Sequence, residues 1–197
     1  MAARRLEGWA ITAASTLAVV AMTGLVLMAC GSQEEGVRAV LRATARSSLV
    51  LFLAAFTASS LRRLLRNDAT AWLLRNRRYL GVSFAASHAL HLAGIVALAT
   101  GWPDAFWSKT SDVTLYGGAL GYLFVAALTL TSSDAAVRVL GQRRWKLLHR
   151  AGVWYLFGIF LLNYGPAFLV KPPYLPASLA VFAALGVRIA AARRGRA

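Results

Sequence analysis

The sequence predicts an all-α, polytopic integral membrane protein, a helical bundle of about six transmembrane helices. Three observations carry this. Of the 197 residues, 58% are hydrophobic, against roughly 45–50% in a soluble domain. The excess gathers in runs of about 18 or more residues with few or no charges, the length a helix needs to cross roughly 30 Å of hydrocarbon. Nearly every arginine lies between those runs. Backbone groups meet no water in the hydrocarbon, so a spanning segment must be a helix or part of a closed barrel. The runs are about twice the 9–11 residues of a barrel strand and do not alternate in polarity, which leaves helices.

Span one is read at residues 8–30. It follows Arg4 and Arg5 and ends in Leu27-Met28-Ala29-Cys30, loosely like a lipoprotein signal with its lipidated cysteine. The apolar run exceeds the roughly 7–15 residues of a signal core. The reading is therefore a first span that ends in Cys30, with lipidation of Cys30 as the alternative. As the only cysteine, it excludes an internal disulfide and a Cys-based metal site. Span two is read at 44–64, with Arg38, Arg42 and Arg46 leading into it, whose four-residue spacing stacks three cations on one helical face. Either these snorkel to lipid phosphates at an interfacial turn, or Arg46 meets an anionic group of a cofactor.

Residues 62–78 hold six arginines and one acid. Within them Asn67-Asp68 can cap a short amphipathic helix that places Trp72 at the interface. Span three is read at 79–100. The following loop carries Gly101, Pro103, Trp102 and Trp107, the composition of an interfacial belt. Span four is read at 113–133, where Gly117, Gly118 and Gly121 allow close approach of another helix or a flat cofactor. Span five, 151–170, follows a second basic loop, and "KPPYLP" turns the chain into span six, 177–192. Arg188 lies about one turn inside that span and can snorkel out.

Five of the 22 Lys and Arg residues, Arg38, Arg42, Arg46, Lys109 and Lys171, fall in the first, third and fifth loops. The rest fall at the termini and in the second and fourth loops. Basic loops stay cytoplasmic, so both termini are placed in the cytoplasm of a bacterial inner (plasma) membrane. The same rule, with attraction to anionic membrane lipid, accounts for the formal net charge of +15 without a nucleic-acid partner. No linker, repeat or soluble domain is visible, so residues 1–197 read as a single membrane domain.

Candidates for chemistry are few. The three histidines are His88 and His91 in mid-span three and His149 where span five begins. Ionisable groups inside a span are costly and usually functional. His88 and His91, three apart, share a helical face. On the residues alone two uses stay open: polar contacts that join helices, and axial ligation of haem iron. A Ser-His-Asp set is excluded because Asp68, Asp104, Asp112 and Asp134 all fall in loops, and a proton-relay transporter would need acidic residues that the spans lack. No phosphate-cradling glycine loop, flavin domain or nicotinamide domain fits what remains, so a flavin has no support in the sequence.

The words around these histidines form a pattern. "RNRRYLGVSFAASHALHLAG", "LGQRRWKLLHRAGVWY" and "TARSSLVLFLAAFTASSLRR" resemble the third span, the start of the fifth span and the second span of the ferric-reductase-like transmembrane domain family. The likeness is strongest to its short bacterial members, the haem-binding membrane subunits of a periplasmic methionine sulfoxide reductase system. It runs from about Thr44 to Val170. The resemblance implies transmembrane electron transfer through b-type haem, one at most, held between spans three and five. Electrons would come from a cytoplasmic flavin reductase or quinol and pass to a periplasmic redox partner. It carries the axial ligands onto His91 and His149, with Arg46 or a basic loop residue near a propionate.

Counting depth at ~1.5 Å per residue from the last arginine of each basic loop puts His91 roughly 20 Å, His88 roughly 15 Å and His149 roughly 8 Å into their spans. Depth therefore pairs His149 with His88, whereas the motif pairs it with His91. Relatives often carry a second span-five histidine where this chain has Leu162 or Asn163. That departure keeps an alternative in view: a haem-free member acting as a membrane anchor or assembly subunit.

Overall fold

A computed structural model describes residues 6–195. Arg4, Arg5 and Arg196, which entered the charge count and the lipidation reading, lie outside the described residues. The described chain is helical nearly throughout. Its order is α1 (Trp9–Cys30), α2 (Glu34–Leu64), α3 (Asp68–Arg75), α4 (Arg77–Gly101), α5 (Pro103–Trp107), α6 (Asp112–Leu130), α7 (Asp134–Leu140), α8 (Gln142–Tyr164), α9 (Ala167–Val170), a 3-10 turn at Pro172–Tyr174, and α10 (Leu175–Arg194). Six stretches are long and apolar enough to cross a membrane: α1, α2, α4, α6, Gln142–Val170 and Pro172–Arg194. Large apolar side chains such as Leu17, Met28, Val50, Leu123 and Leu162 point outward. In water such a surface would aggregate; in lipid it is already solvated.

Span two is longer than its hydropathy. Helix α2 begins at Glu34, ten residues before Thr44, so Arg38, Arg42 and Arg46 are successive turns of the span's own helix. Glu34 starts it with a 2.6 Å ion pair to Arg38 one turn on, and an acid at the positive helix N-terminus adds to that. Arg38 also donates to the carbonyl of Ala105 at 3.0 Å. The short helix anticipated after Asn67 is α3. Asn67 accepts from the Thr70 amide while Thr70 accepts from the Asn67 amide, a reciprocal capping box. Cys30 is exposed at the C-terminal end of α1.

The described residues form two compact units. The first holds α1, α2 as far as Phe52, α4 from Arg78, and α5. There α1 is held at its start, where Trp9 meets Tyr79 edge-on at 5.3 Å and Thr12 donates to the Tyr79 carbonyl. The long contact is α2 against α4, which run antiparallel. Phe52 meets Phe84, Ser48 meets Ser87, Thr44 meets His91, and Leu41 fits against Gly94. Each step along α2 is three or four residues and is matched by the opposite step along α4, the spacing of one helical face. A Cβ on Gly94 would lie 2.9 Å from Leu41 Cδ2, so the missing side chain sets how closely the helices approach.

The second unit holds the rest of α2, then α3, α6–α9 and α10. Here α6 packs against α8. Gly121 faces Ile159, Gly152 faces Phe124 and Leu128, and the Tyr155 hydroxyl donates to the carbonyl of Gly117 at 2.9 Å. Of the glycines read as allowing close approach, Gly117 and Gly121 are used for helix packing, while Gly118 faces open space. Phe56 of α2 stacks flat on Phe157 of α8 at 4.5 Å. Ser178 of α10 donates to the carbonyl of Tyr164 at 2.6 Å.

Candidate functional site

In the first unit, four polar residues of α2 and α4, Thr44, Ser47, Ser48 and Ser87, interlock. Thr44, Ser48 and Ser87 are buried. Ser87 Oγ lies 2.8 Å from Ser47 Oγ and 2.9 Å from Ser48 Oγ. A buried hydroxyl left without a partner is costly, and these satisfy one another across the two helices. One turn further along α4 the chain of contacts reaches His91, whose Nδ1 lies 3.0 Å from Thr44 Oγ1.

The direction of that bond follows from proton counting. Thr44 has one hydroxyl proton and sits 2.8 Å from the carbonyl of Val40, an oxygen that can only accept. The proton goes there, so His91 Nδ1–H donates to Thr44. His91 Nε2 then carries the lone pair. Iron-binding imidazoles characteristically have this form, with one ring nitrogen fixed by a neighbour's hydrogen bond and the other presented to the metal. His88 stands one turn back on the same side of α4. Its ring stacks on that of His91 at 5.4 Å with planes 19° apart and lies tilted against Phe84 at 5.1 Å. Arg46 lies on α2, two residues from Thr44, and is exposed.

His149 belongs to the second unit. Its Nε2 lies 3.0 Å from Thr131 Oγ1, while Thr131 itself donates to the carbonyl of Ala127. By the same counting His149 Nε2–H is the donor and Nδ1 holds the lone pair. The indole of Trp145, one turn earlier on α8, covers the ring at 4.3 Å and donates to the Thr131 carbonyl at 2.8 Å. His91 and His149 therefore rest in opposite tautomers.

The structure brings His88 and His91 together and gives each of His91 and His149 a threonine partner. The sequence reading missed Thr44 and Thr131. Their signal was only a threonine within a span, which by itself does not say which helix it faces. The positions of the missing span-five histidine face outward: Leu162 is 76% exposed, and Asn163 is exposed with its amide donating to its own helix at Ile159. Among the described residues no three His, Cys, Asp or Glu side chains gather around one point. The donor set thus does not fit a clustered metal centre. It does fit a macrocyclic iron, which supplies four ligands itself and asks the protein for axial imidazoles, and His91 presents one in the required tautomer.

Known proteins are similar to this chain in sequence. The sequence model of the family described as Ferric reductase like transmembrane component matches residues 41–160, a stretch that includes Arg46 and all three histidines. The protein-methionine-sulfoxide reductase heme-binding subunit MsrQ of Azospira oryzae is 42% identical over 89 residues, covering 41% of this chain and 35% of its own. The subunit of the same name from Cronobacter sakazakii is 34% identical over 134 residues, 62% of this chain and 65% of its own. That of Salmonella paratyphi B is 30% identical over 147 residues, 69% and 72%. The chain spans less than two thirds of the length of the first relatives it matches. No solved structure matches it.

Proposed function

The chain belongs to the ferric reductase like transmembrane component family, and from that membership we propose that it is a haem-binding membrane subunit that passes electrons across a bacterial inner membrane to a periplasmic acceptor. The observation that carries the proposal is His91, whose Nδ1 is engaged by Thr44, which leaves the lone pair on Nε2. Bound b-type haem supplies a one-electron iron couple within the hydrocarbon layer.

The chain's own residues have distinct tasks in this reading. His91 is the axial ligand from α4, and Thr44 fixes its ring and tautomer. His88 packs beside it and is the alternative ligand. His149 is the candidate from α8. It offers Nδ1 as it stands and Nε2 once it turns from Thr131. Arg46 is the candidate cation for a propionate. The basic loops support a cytoplasmic position for both termini, and in this reading electrons enter from a cytoplasmic flavin reductase or from quinol. They leave to a periplasmic protein, with methionine sulfoxide reductase the acceptor suggested by the relatives' names.

The test is a reduced-minus-oxidised absorption spectrum of the detergent-purified protein with a haem-to-protein ratio. The expected outcome is a b-type spectrum at about one haem per chain, the most that the three histidines of the family resemblance imply. A featureless spectrum after expression with ample haem rejects the electron-transfer reading. It favours a haem-free anchor or assembly subunit, to which the outward-facing Leu162 and Asn163 and the engagement of His149 Nε2 with Thr131 already lend support.

Thr44→Val tests the support of His91 separately from the ligand itself. Valine keeps the shape and removes the acceptor for Nδ1–H. The expected result is haem affinity lower by roughly 10–100-fold, the usual cost of losing a bond that orients a metal ligand, with the spectrum shifted and the helical content unchanged. Unaltered haem affinity in that variant would remove Thr44 from the site.

A further inference from the structure

Within the second unit, the ends of α2 and α10 lie together and form with α8 a cleft of about 320 Å³ lined by Ser59, Ser60, Arg63, Trp154, Arg188 and Ile189. That volume is at the lower end of the range for ligand clefts, roughly 300–1,000 Å³. Its charge is one-sided. Arg63 and Arg188 line it together, and among the described residues neither forms an ion pair with a carboxylate. Like cations converging at a partly desolvated site repel one another unless an anion joins them.

Each guanidinium is held with donors to spare. Arg188 donates to the carbonyl of Phe56 at 3.3 Å and Arg63 to that of Ala191 at 3.1 Å, one bond each from five N–H groups. Arg188 does not extend along α10 toward the helix end. Its guanidinium lies over Phe56, 4.6 Å from the ring centroid, and beside Trp154 at 5.2 Å, so the aromatic rings fix where the charge sits. Arg188 is six residues from the end of α10 at Arg194, about 9 Å along the axis. Arg63 is one residue from the end of α2. The cations thus line the cleft from the helix ends inward, the depth range of a lipid headgroup. Trp154 and Ile189, 40% and 45% exposed, carry the wall on to the apolar outer surface. A water-soluble anion would gain nothing from that wall, whereas an acyl chain would.

We propose that this cleft binds the phosphate of an anionic phospholipid headgroup, gripped by Arg188 and Arg63, with the Ser59 and Ser60 hydroxyls as further donors and an acyl chain along Trp154 and Ile189. Basic pockets between membrane helices are suited to such headgroups because charge and apolar contact are satisfied at once. The site stands apart from the three histidines and Arg46 of the haem reading.

The experiment is native mass spectrometry of the full chain in detergent, titrated with phosphatidylglycerol, phosphatidylcholine or inorganic phosphate. Preferential retention of phosphatidylglycerol by on the order of tenfold is expected, with that preference lost in Arg63→Gln/Arg188→Gln. Arg188→Lys, which keeps the charge without the planar fork, should keep part of it and so guards against loss through misfolding. Arg143→Gln/Arg144→Gln, in the first turn of α8, should leave it unchanged. Equal loss in that control would reduce the effect to general surface charge and overturn the proposal. So would displacement of phosphatidylglycerol by inorganic phosphate, which would mark a site for soluble anions. Loss of haem from Arg63→Gln/Arg188→Gln with lipid retention intact would also overturn it, assigning the arginines to a haem carboxylate instead.

Discussion

Replacing His91 with glycine should yield a protein that folds, inserts and purifies with its haem content reduced by more than ~10-fold, beyond the lower bound for losing only a supporting bond. The glycine variant is chosen over a bulkier one because it leaves a space that added imidazole can enter. Restoration of the b-type spectrum by millimolar imidazole would show that the ring acts as a ligand. A ring that merely joins α4 to α2 through Thr44 would not produce an imidazole-dependent spectrum, so haem retained in full by the variant, or lost beyond rescue, would leave His91 with a packing role only. His88→Ala separates the two stacked rings. His91 is the one whose Nδ1 is fixed by Thr44, so the His88 variant should keep most of its haem with a shifted band. The reverse result would favour the pairing that helix depth alone suggested.

The sequence was most informative where one physical rule acts over a long stretch. Hydropathy located the six spans because twenty apolar residues in a row have few alternatives in water. The Asn67 cap was legible because its partner is three residues away. What escaped was anything that depends on helix register. Thr44 and Ser48 lie one turn apart on α2, and Ser87 and His91 one turn apart on α4, so each pair is visible as a polar patch in a span. Their meeting across two helices 39 to 47 residues apart is fixed by Gly94 against Leu41 and Phe52 against Phe84, and no local pattern encodes it. The start of α2 was misplaced by ten residues for a related reason: three arginines depress hydropathy without breaking a helix, since arginine is a good helix former. Arg188 looked free to snorkel because Phe56 and Trp154, the rings that hold it, lie 132 and 34 residues away in the chain.

Gly152→Leu should cost about 1–3 kcal/mol of stability, the usual price of forcing extra methylenes into a packed seam. A Cβ at that position would lie 2.9 Å from Phe124 Cδ1 and 3.1 and 3.2 Å from two atoms of Leu128. One flexible neighbour could swing aside, but here two side chains of α6 close on the same point. The branches of leucine extend beyond the Cβ, so the remaining adjustment is for α8 to move off α6. His149 is one turn away on α8 and reaches α6 through Thr131, so that movement should lengthen or break its bond as well. The unfolding midpoint in detergent and the haem-to-protein ratio are therefore expected to fall together. Gly158→Leu provides the control on the same helix. Nothing lies within 4 Å of its Cβ position, so it introduces the same side chain without the collision and should change both quantities little. Equal losses in the two variants would mean that α8 dislikes leucine for reasons unrelated to α6. A loss confined to Gly152 would tie the packing of α6 on α8 to the hold on His149.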